Sequence, residues 1–265
     1  MRFDENRRWG VEIEFTRANP EDVAREMRNR GVECYQEGYN HVTRRHWKVV
    51  SDASCGWELV SPPLKGEEGF RQLKIACEAL KAAGAKVDRR CGLHVHHDAS
   101  DFDVNTFKRL YSLYIRFEGT IDELVPQSRR ANNNGYCCSL RTRYVLNRIR
   151  EARHVEDILN IFGSRCLKLN CQSYRRHGTV EFRQHSGTTE YKKIKNWIIL
   201  TQAMVNRAVD GQVQVPTRVN YNTDTWYHFK KYLKLIGCKG ASEEIQEVTK
   251  FYNKRRQQLA ERTAA

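Results

Sequence analysis

The chain has 265 residues, enough to bury a substantial core as one large domain or two small ones. A 40% hydrophobic and 10% aromatic content excludes global disorder, and no run reaches the roughly 18 apolar residues that a membrane-spanning helix needs. The 46 Lys and Arg against 32 Asp and Glu leave a net charge of +14, which favours anionic partners such as nucleotides, polycarboxylates or nucleic acid without choosing among them.

The opening MRFDENRRWG lacks the apolar core of a signal peptide, so a cytoplasmic protein is expected. Val11 to Phe15 alternates strictly and reads as a strand, and Pro20 with Glu21 opens a helix over 20–30. Strands are predicted at 46–51 and 57–61, the second stopped by Pro62-Pro63. The spacing of Phe70, Leu73, Ala76, Ala79 and Leu80 predicts an amphipathic helix over 67–83, ended by Gly84. A short strand at 85–88 leads into the alternating strand Gly92-Leu93-His94-Val95-His96, after which Asp103 caps a helix to about 117 and a second helical stretch follows to 125. Residues 126–139 (PQSRRANNNGYCCS) read as a polar loop. Helices near 141–149 and 155–162, strands at 166–172 and 179–185, and helices at 190–209, 224–236 and 242–261 complete the chain, with a basic end expected to fray. This order predicts an α+β protein with a mixed or antiparallel sheet. Nine cysteines scattered without a C-x-x-C pair are most simply reduced thiols.

Side chains of a strand alternate between faces, and three of the predicted strands repeat one pattern. Glu12 and Glu14 share a face opposite Val11, Ile13 and Phe15; His94 and His96 stand opposite Leu93 and Val95; Glu181 and Arg183 stand opposite Val180 and Phe182. If helices bury the apolar face, the other becomes a platform of carboxylate, imidazole and guanidinium. Adjacent carboxylates raise one another's pKa unless a cation lies between them; hard oxygen donors suit Mg²⁺ or Mn²⁺, and an arginine fork suits phosphate oxygens. Taken singly each motif has a plainer reading: an E-x-E on a half-exposed strand is usually solvated, Glu181 with Arg183 can be an ordinary cross-strand ion pair, and CGLHVHH can be read as a zinc site through Cys91 and His97.

Together, GVEIEF (10–15), SDASCGWELVSPPL (51–64), CGLHVHHDAS (91–100) and LNCQSYRRHGTVEFRQHSGT (169–188) resemble, in order, the amidoligases of the carboxylate-amine ligase group, relatives of glutamine synthetase and glutamate-cysteine ligase. The resemblance covers about residues 9–210 and implies a curved, mainly antiparallel sheet with helices on one face, as in the glutamine synthetase catalytic domain. A catalytic domain over 1–210 with a helical extension over 211–265 packed on it follows from that coverage. It further implies that ATP and Mg²⁺ (or Mn²⁺) are required. Glu12, His94 and Glu181 would hold one ion and Glu14 and Glu58 another, with the division of Glu12 and Glu14 between ions left open. Arg183 would stabilise the transferred phosphoryl group, His96 would contact phosphate, and Asp52 would orient the amine or accept its proton. Arg129 and Arg130, in the polar loop beside Asn132 to Asn134 and Tyr136, are candidates for holding phosphate or substrate carboxylate. The implied substrates are a small-molecule or peptide carboxylate and an amine. The alternative from composition is a basic nucleic-acid-binding protein, pointed to by Lys250, Lys254, Arg255 and Arg256, or a ligase acting on nucleic acid or another anionic polymer.

Overall fold

The computed structural model describes residues 3–211, 213–216, 225–237 and 243–264. The described residues form seven strands: β1 (Trp9–Phe15), β2 (Cys34–Gln36), β3 (Trp47–Asp52), β4 (Gly56–Val60), β5 (Gly92–Asp98), β6 (Leu169–Asn170) and β7 (Thr179–Ser186). The helices are α1 (Pro20–Asn29), α2 (Gly66–Ala82), α3 (Val104–Asp122), α4 (Val145–Glu151), α5 (Val155–Ile161), α6 (Gln172–His177), α7 (Tyr191–Val209), α8 (Thr225–Leu235) and α9 (Glu243–Ala264). The strands run in the order β2-β3-β4-β1-β5-β7-β6, antiparallel in β1–β4, β1–β5, β3–β4 and β6–β7 and parallel in β2–β3. The chain is thus a mixed α and β protein with a mostly antiparallel sheet. Among the described residues no helix is long and apolar enough to cross a membrane.

Two compact units make up the chain. A strand unit comprises Asp4–Asp98 and Gln184–Ile198, and a helical unit comprises Met1–Phe3, Ala99–Arg183 and Ile199–Ala265. In the strand unit the register sets Val11 against Val95 and Ile13 between Leu59 and Leu93, so the apolar positions of the alternating strands form one continuous face. Ile13, Phe15, Val49, Leu59, Leu93 and Val95 are fully buried there. The amphipathic α2 packs on this face: Trp9 meets Phe70 at 5.1 Å between ring centroids, and the Trp47 indole donates to Gln72 Oε1 at 3.0 Å. α1 starts as its sequence dictates, with Asn19 Oδ1 accepting from Glu21 N at the cap and Pro20 in the first turn.

The helical unit is organised around α3, capped by Asp103, whose Oδ1 accepts from Thr106 N at 2.7 Å. Tyr111 stacks on Phe162 at 4.2 Å and Phe117 meets Tyr232 at 5.2 Å, so α3 is buried on several sides. That burial explains why α3 continues unbroken to Asp122, where sequence reading divides it near 117: a helix surrounded by protein has no polar stripe to mark its course. Strand 85–88 is reduced to a single bridge, Thr16 with Lys86, and strand 166–172 to Leu169–Asn170 followed by α6. The three-residue β2 and the six-residue α6 are too short to display a period in sequence. The basic end lies in α9, which extends to Ala264.

The cysteines are not all reduced thiols: Cys55, in the β3–β4 turn, is paired with Cys91, just before β5, with Cα atoms 5.3 Å apart. Thirty-six residues separate them in sequence, so only the antiparallel stacking of β4, β1 and β5 brings them together. Gly187 lies against this bridge. Its N–H donates to Cys91 O at 2.7 Å, and a Cβ at that position would stand 2.6 Å from Cys91 Cβ and 3.0 Å from its carbonyl. Because part of that collision is with main chain, Gly187→Ala is expected to destabilise the protein by about 1–3 kcal/mol, read from the urea midpoint at unchanged slope.

Candidate functional site

The face of the strand unit opposite α2 carries the polar positions of β1, β4 and β5, and the register stacks them. Glu12 is the cross-strand partner of His94, and Glu14 is the partner of Glu58. His94 Nδ1 lies 2.9 Å from Glu12 Oε2 and 3.9 Å from Glu58 Oε1, and its Nε2 lies 3.4 Å from Glu14 Oε1. His96 Nε2 is 3.3 Å from Glu12 Oε1. Donor atoms of Glu12, Glu58 and His94 all fall within 4.8 Å of one another. Five residues spread over eighty-odd positions of sequence therefore form one cluster, because a period of two places every second side chain on the same surface.

The cluster is electrostatically divided. Burial pushes the Glu58 carboxyl well above its ordinary value, and the negative charges of Glu12, Glu14 and Asp52 push it in the same direction. Burial also opposes ionisation of Glu12, yet the two imidazoles, His96 first, outweigh it and hold that carboxyl well below its ordinary value. Glu14 is anchored by main chain, with Gly92 N donating to its Oε2 at 2.6 Å. A carboxylate held ionised, a second carboxyl whose ionisation burial and its neighbours oppose and an imidazole at one point make a donor set that a hard divalent cation would complete. The residues present fit Mg²⁺ or Mn²⁺.

Asp52 stands on the same face of β3, opposite Gly56. Its Oδ1 accepts from Ser54 N, Ser54 Oγ and Cys55 N at 2.9, 2.6 and 2.8 Å, so one oxygen shapes the β3–β4 turn. His97, read with Cys91 as a zinc pair, is fully buried on the apolar face, where burial pulls its pKa down to about 3. With Cys91 bonded to Cys55, the zinc reading of CGLHVHH falls.

Glu181 and Arg183 lie on β7 within the helical unit. They form an ion pair, Glu181 Oε2 accepts from Asn170 Nδ2 at 2.6 Å, and Arg183 Nε donates to Tyr136 O at 3.3 Å. Both side chains are thereby held, Glu181 at 4% exposure. Asn170 was not singled out by sequence reading; its signal was its place in LNC, where alternation with buried Leu169 turns it toward Glu181. Arg129 is buried beside Cys137, where its charge offsets part of the upward push of burial on that thiol. Arg130 donates through Nε to Val125 O and closes the turn after α3.

Residues 5–205 match the family model described as "putative amidoligase enzyme". The chain belongs to the amidoligase family. No curated protein matches this amidoligase chain. Among solved structures it is similar to a chain from the complex between the prokaryotic ubiquitin-like protein Pup and its ligase PafA, at 11% identity and a TM-score of 0.40, covering 96% of this chain and 63% of that one. The chain thus spans under two thirds of the length of that structural relative.

Glu58 supplies a direct check on the cluster. Its carboxyl titrates above the ordinary 4.5, so between that value and its folded value the unfolded chain has released a proton the folded protein keeps, and stability falls as pH rises through the window. Metal-free Glu58→Gln is expected to melt at a higher temperature than the parent at neutral pH. The variant should also lose most of the parent's stabilisation by Mn²⁺, measured by calorimetry with and without the ion. A lower melting temperature in the metal-free variant would contradict the assignment.

Proposed function

We propose that this protein is an ATP-dependent carboxylate-amine ligase that forms an amide through an acyl phosphate, releasing ADP and phosphate. The observation that carries the reading is the cluster of Glu12, Glu14, Glu58 and His94 on one sheet face in a member of the amidoligase family. In this reading Glu12, Glu14, Glu58 and His94 hold Mg²⁺ or Mn²⁺, which when bound offsets negative charge on the phosphate oxygens of ATP. Glu181 is expected from the resemblance to share the metal-holding role, and Arg183 to stabilise the transferred phosphoryl group.

The chain's own residues do the following. The Glu12 carboxylate is kept ionised by His94 and His96, so it is ready to accept a cation at neutral pH. Arg183 is held by Glu181 and by Tyr136 O, which fixes the guanidinium before substrate arrives and lowers the entropy lost when it meets a planar trio of phosphoryl oxygens. The substrate carboxylate attacks the γ-phosphorus and the bond to the β-phosphate oxygen breaks, giving ADP and an acyl phosphate. The amine then adds to the acyl carbon and phosphate leaves. The ammonium proton must go to a base, and Asp52 takes it through Oδ2, since Oδ1 is committed to the turn. A small-molecule or peptide carboxylate and an amine are the substrates this chemistry needs.

Incubation with ATP, Mg²⁺ or Mn²⁺ and a mixed pool of amines and carboxylates is expected to yield ADP, phosphate and an amide in equal amounts, resolved by mass spectrometry. AMP and pyrophosphate as products would eliminate the acyl phosphate. Glu12→Gln and Arg183→Ala are each expected to lower turnover by about a hundredfold or more with the fold intact by circular dichroism; full turnover in either variant would remove that residue from the site.

A further inference from the structure

The helical unit contains a buried charge triad that the proposed reaction does not use. Lys168 is 0% exposed, and its Nζ donates to Glu118 Oε1 at 2.9 Å and Asp122 Oδ1 at 2.6 Å, both on α3. An ammonium is placed in the interior only if its donors are satisfied, and here two carboxylates satisfy it. Each carboxylate then uses its second oxygen on the same loop. Glu118 Oε2 accepts from Leu140 N at 3.1 Å and Asp122 Oδ2 accepts from Ala131 N at 2.9 Å, so the triad grips the loop at both ends. Ala131 sits at φ +46°, a backbone conformation that alanine adopts at a cost and that the Asp122 bond helps hold.

The main chain of Lys168 extends the same connection. Its N–H donates to Cys138 O at 2.9 Å, in the middle of the gripped loop, and its carbonyl accepts from Arg183 N at 2.9 Å. Arg183 in turn donates through Nε to Tyr136 O, also in that loop. The guanidinium is thus referred to Lys168 twice, once through its own backbone and once through the loop that the Lys168 side chain secures from α3. Inside the loop, Asn132 Oδ1 accepts from Ser139 N and Asn134 Oδ1 from Tyr136 N, so the segment between the grips is itself cross-braced. All of these contacts lie within the helical unit.

We infer that Lys168 is a positioning residue: with Glu118 and Asp122 it clamps the 131–140 loop and thereby fixes the Arg183 guanidinium for phosphoryl transfer. The catalytic half of this inference rests on the role given to Arg183 under the proposed function; the clamp itself does not.

Lys168→Met would leave two carboxylates facing each other in the interior and risks unfolding the unit. Asp122→Asn is the better variant, because an amide offers one acceptor oxygen where two N–H donors, from Lys168 and Ala131, each need one. Two readouts are needed. Cys138 is a free, half-buried thiol in the loop, so its rate of alkylation, assigned by peptide mapping, reports loop opening without reference to activity. In Asp122→Asn, with a cooperative melt retained, Cys138 is expected to react about tenfold faster. ATP turnover should fall more in kcat than in KM, and adding Asp122→Asn to Arg183→Ala should cost less than about twofold further, since the two act through one group. Unchanged Cys138 labelling would overturn the clamp, and losses that multiply in the double variant would overturn the link to Arg183. Full turnover in Arg183→Ala would instead refute the proposed role of Arg183 and with it the link, while the labelling result would still stand for or against the clamp.

Discussion

The strand unit is governed by carboxylate crowding. Glu12, Glu14 and Glu58 occupy neighbouring positions on one sheet face, and burial opposes the ionisation of Glu12 and Glu58. The fold answers in three ways. His94 reaches Glu12 and Glu14, His96 adds to the hold on Glu12, and the Gly92 amide takes an oxygen of Glu14. Glu58 receives less, and its carboxyl is pushed well above its ordinary value. The arrangement on the opposite face, where Ile13 sits between Leu59 and Leu93 beneath α2, is what fixes the register that creates the crowding. A slip of one residue in β1 would exchange the glutamates with the core.

This dependence explains which features could be read from sequence. Alternation within β1 and β5 was visible because each strand has one apolar and one polar face, and the same alternation placed Glu12, Glu14, His94 and His96 correctly by face. Cross-strand partners were not visible: nothing in GWELV says that Glu58 meets Glu14, or in SDASCG that Cys55 meets Cys91, because register is settled by the packed sheet. Asp103 announced the start of α3 through its side chain, while the end of α3 at Asp122, buried on several sides, carried no such mark. The loop at 126–139 was recognised by composition alone. What holds it, a lysine nearly thirty residues further on, has no local signature, since an isolated Lys in RCLKLN reads as a surface charge. Arg129 stood out for its setting in that loop, but composition could not tell a displayed guanidinium from one packed beside Cys137.

The two units treat groups of buried acids differently, and the difference bears on what each can bind. Glu118 and Asp122 are close acids with a permanent cation, Lys168, fixed between them, and both of their remaining oxygens are taken by main-chain N–H groups. One ammonium offsets one of the two negative charges and every carboxylate oxygen already accepts a hydrogen bond, so the worth of the group lies in holding geometry. Glu12 is met by the imidazoles of His94 and His96, and Glu14 by His94 and one peptide N–H. Acid content alone would rank the two groups alike. What separates them is the partner beside each, a lysine side chain between Glu118 and Asp122 and imidazoles beside Glu12 and Glu14.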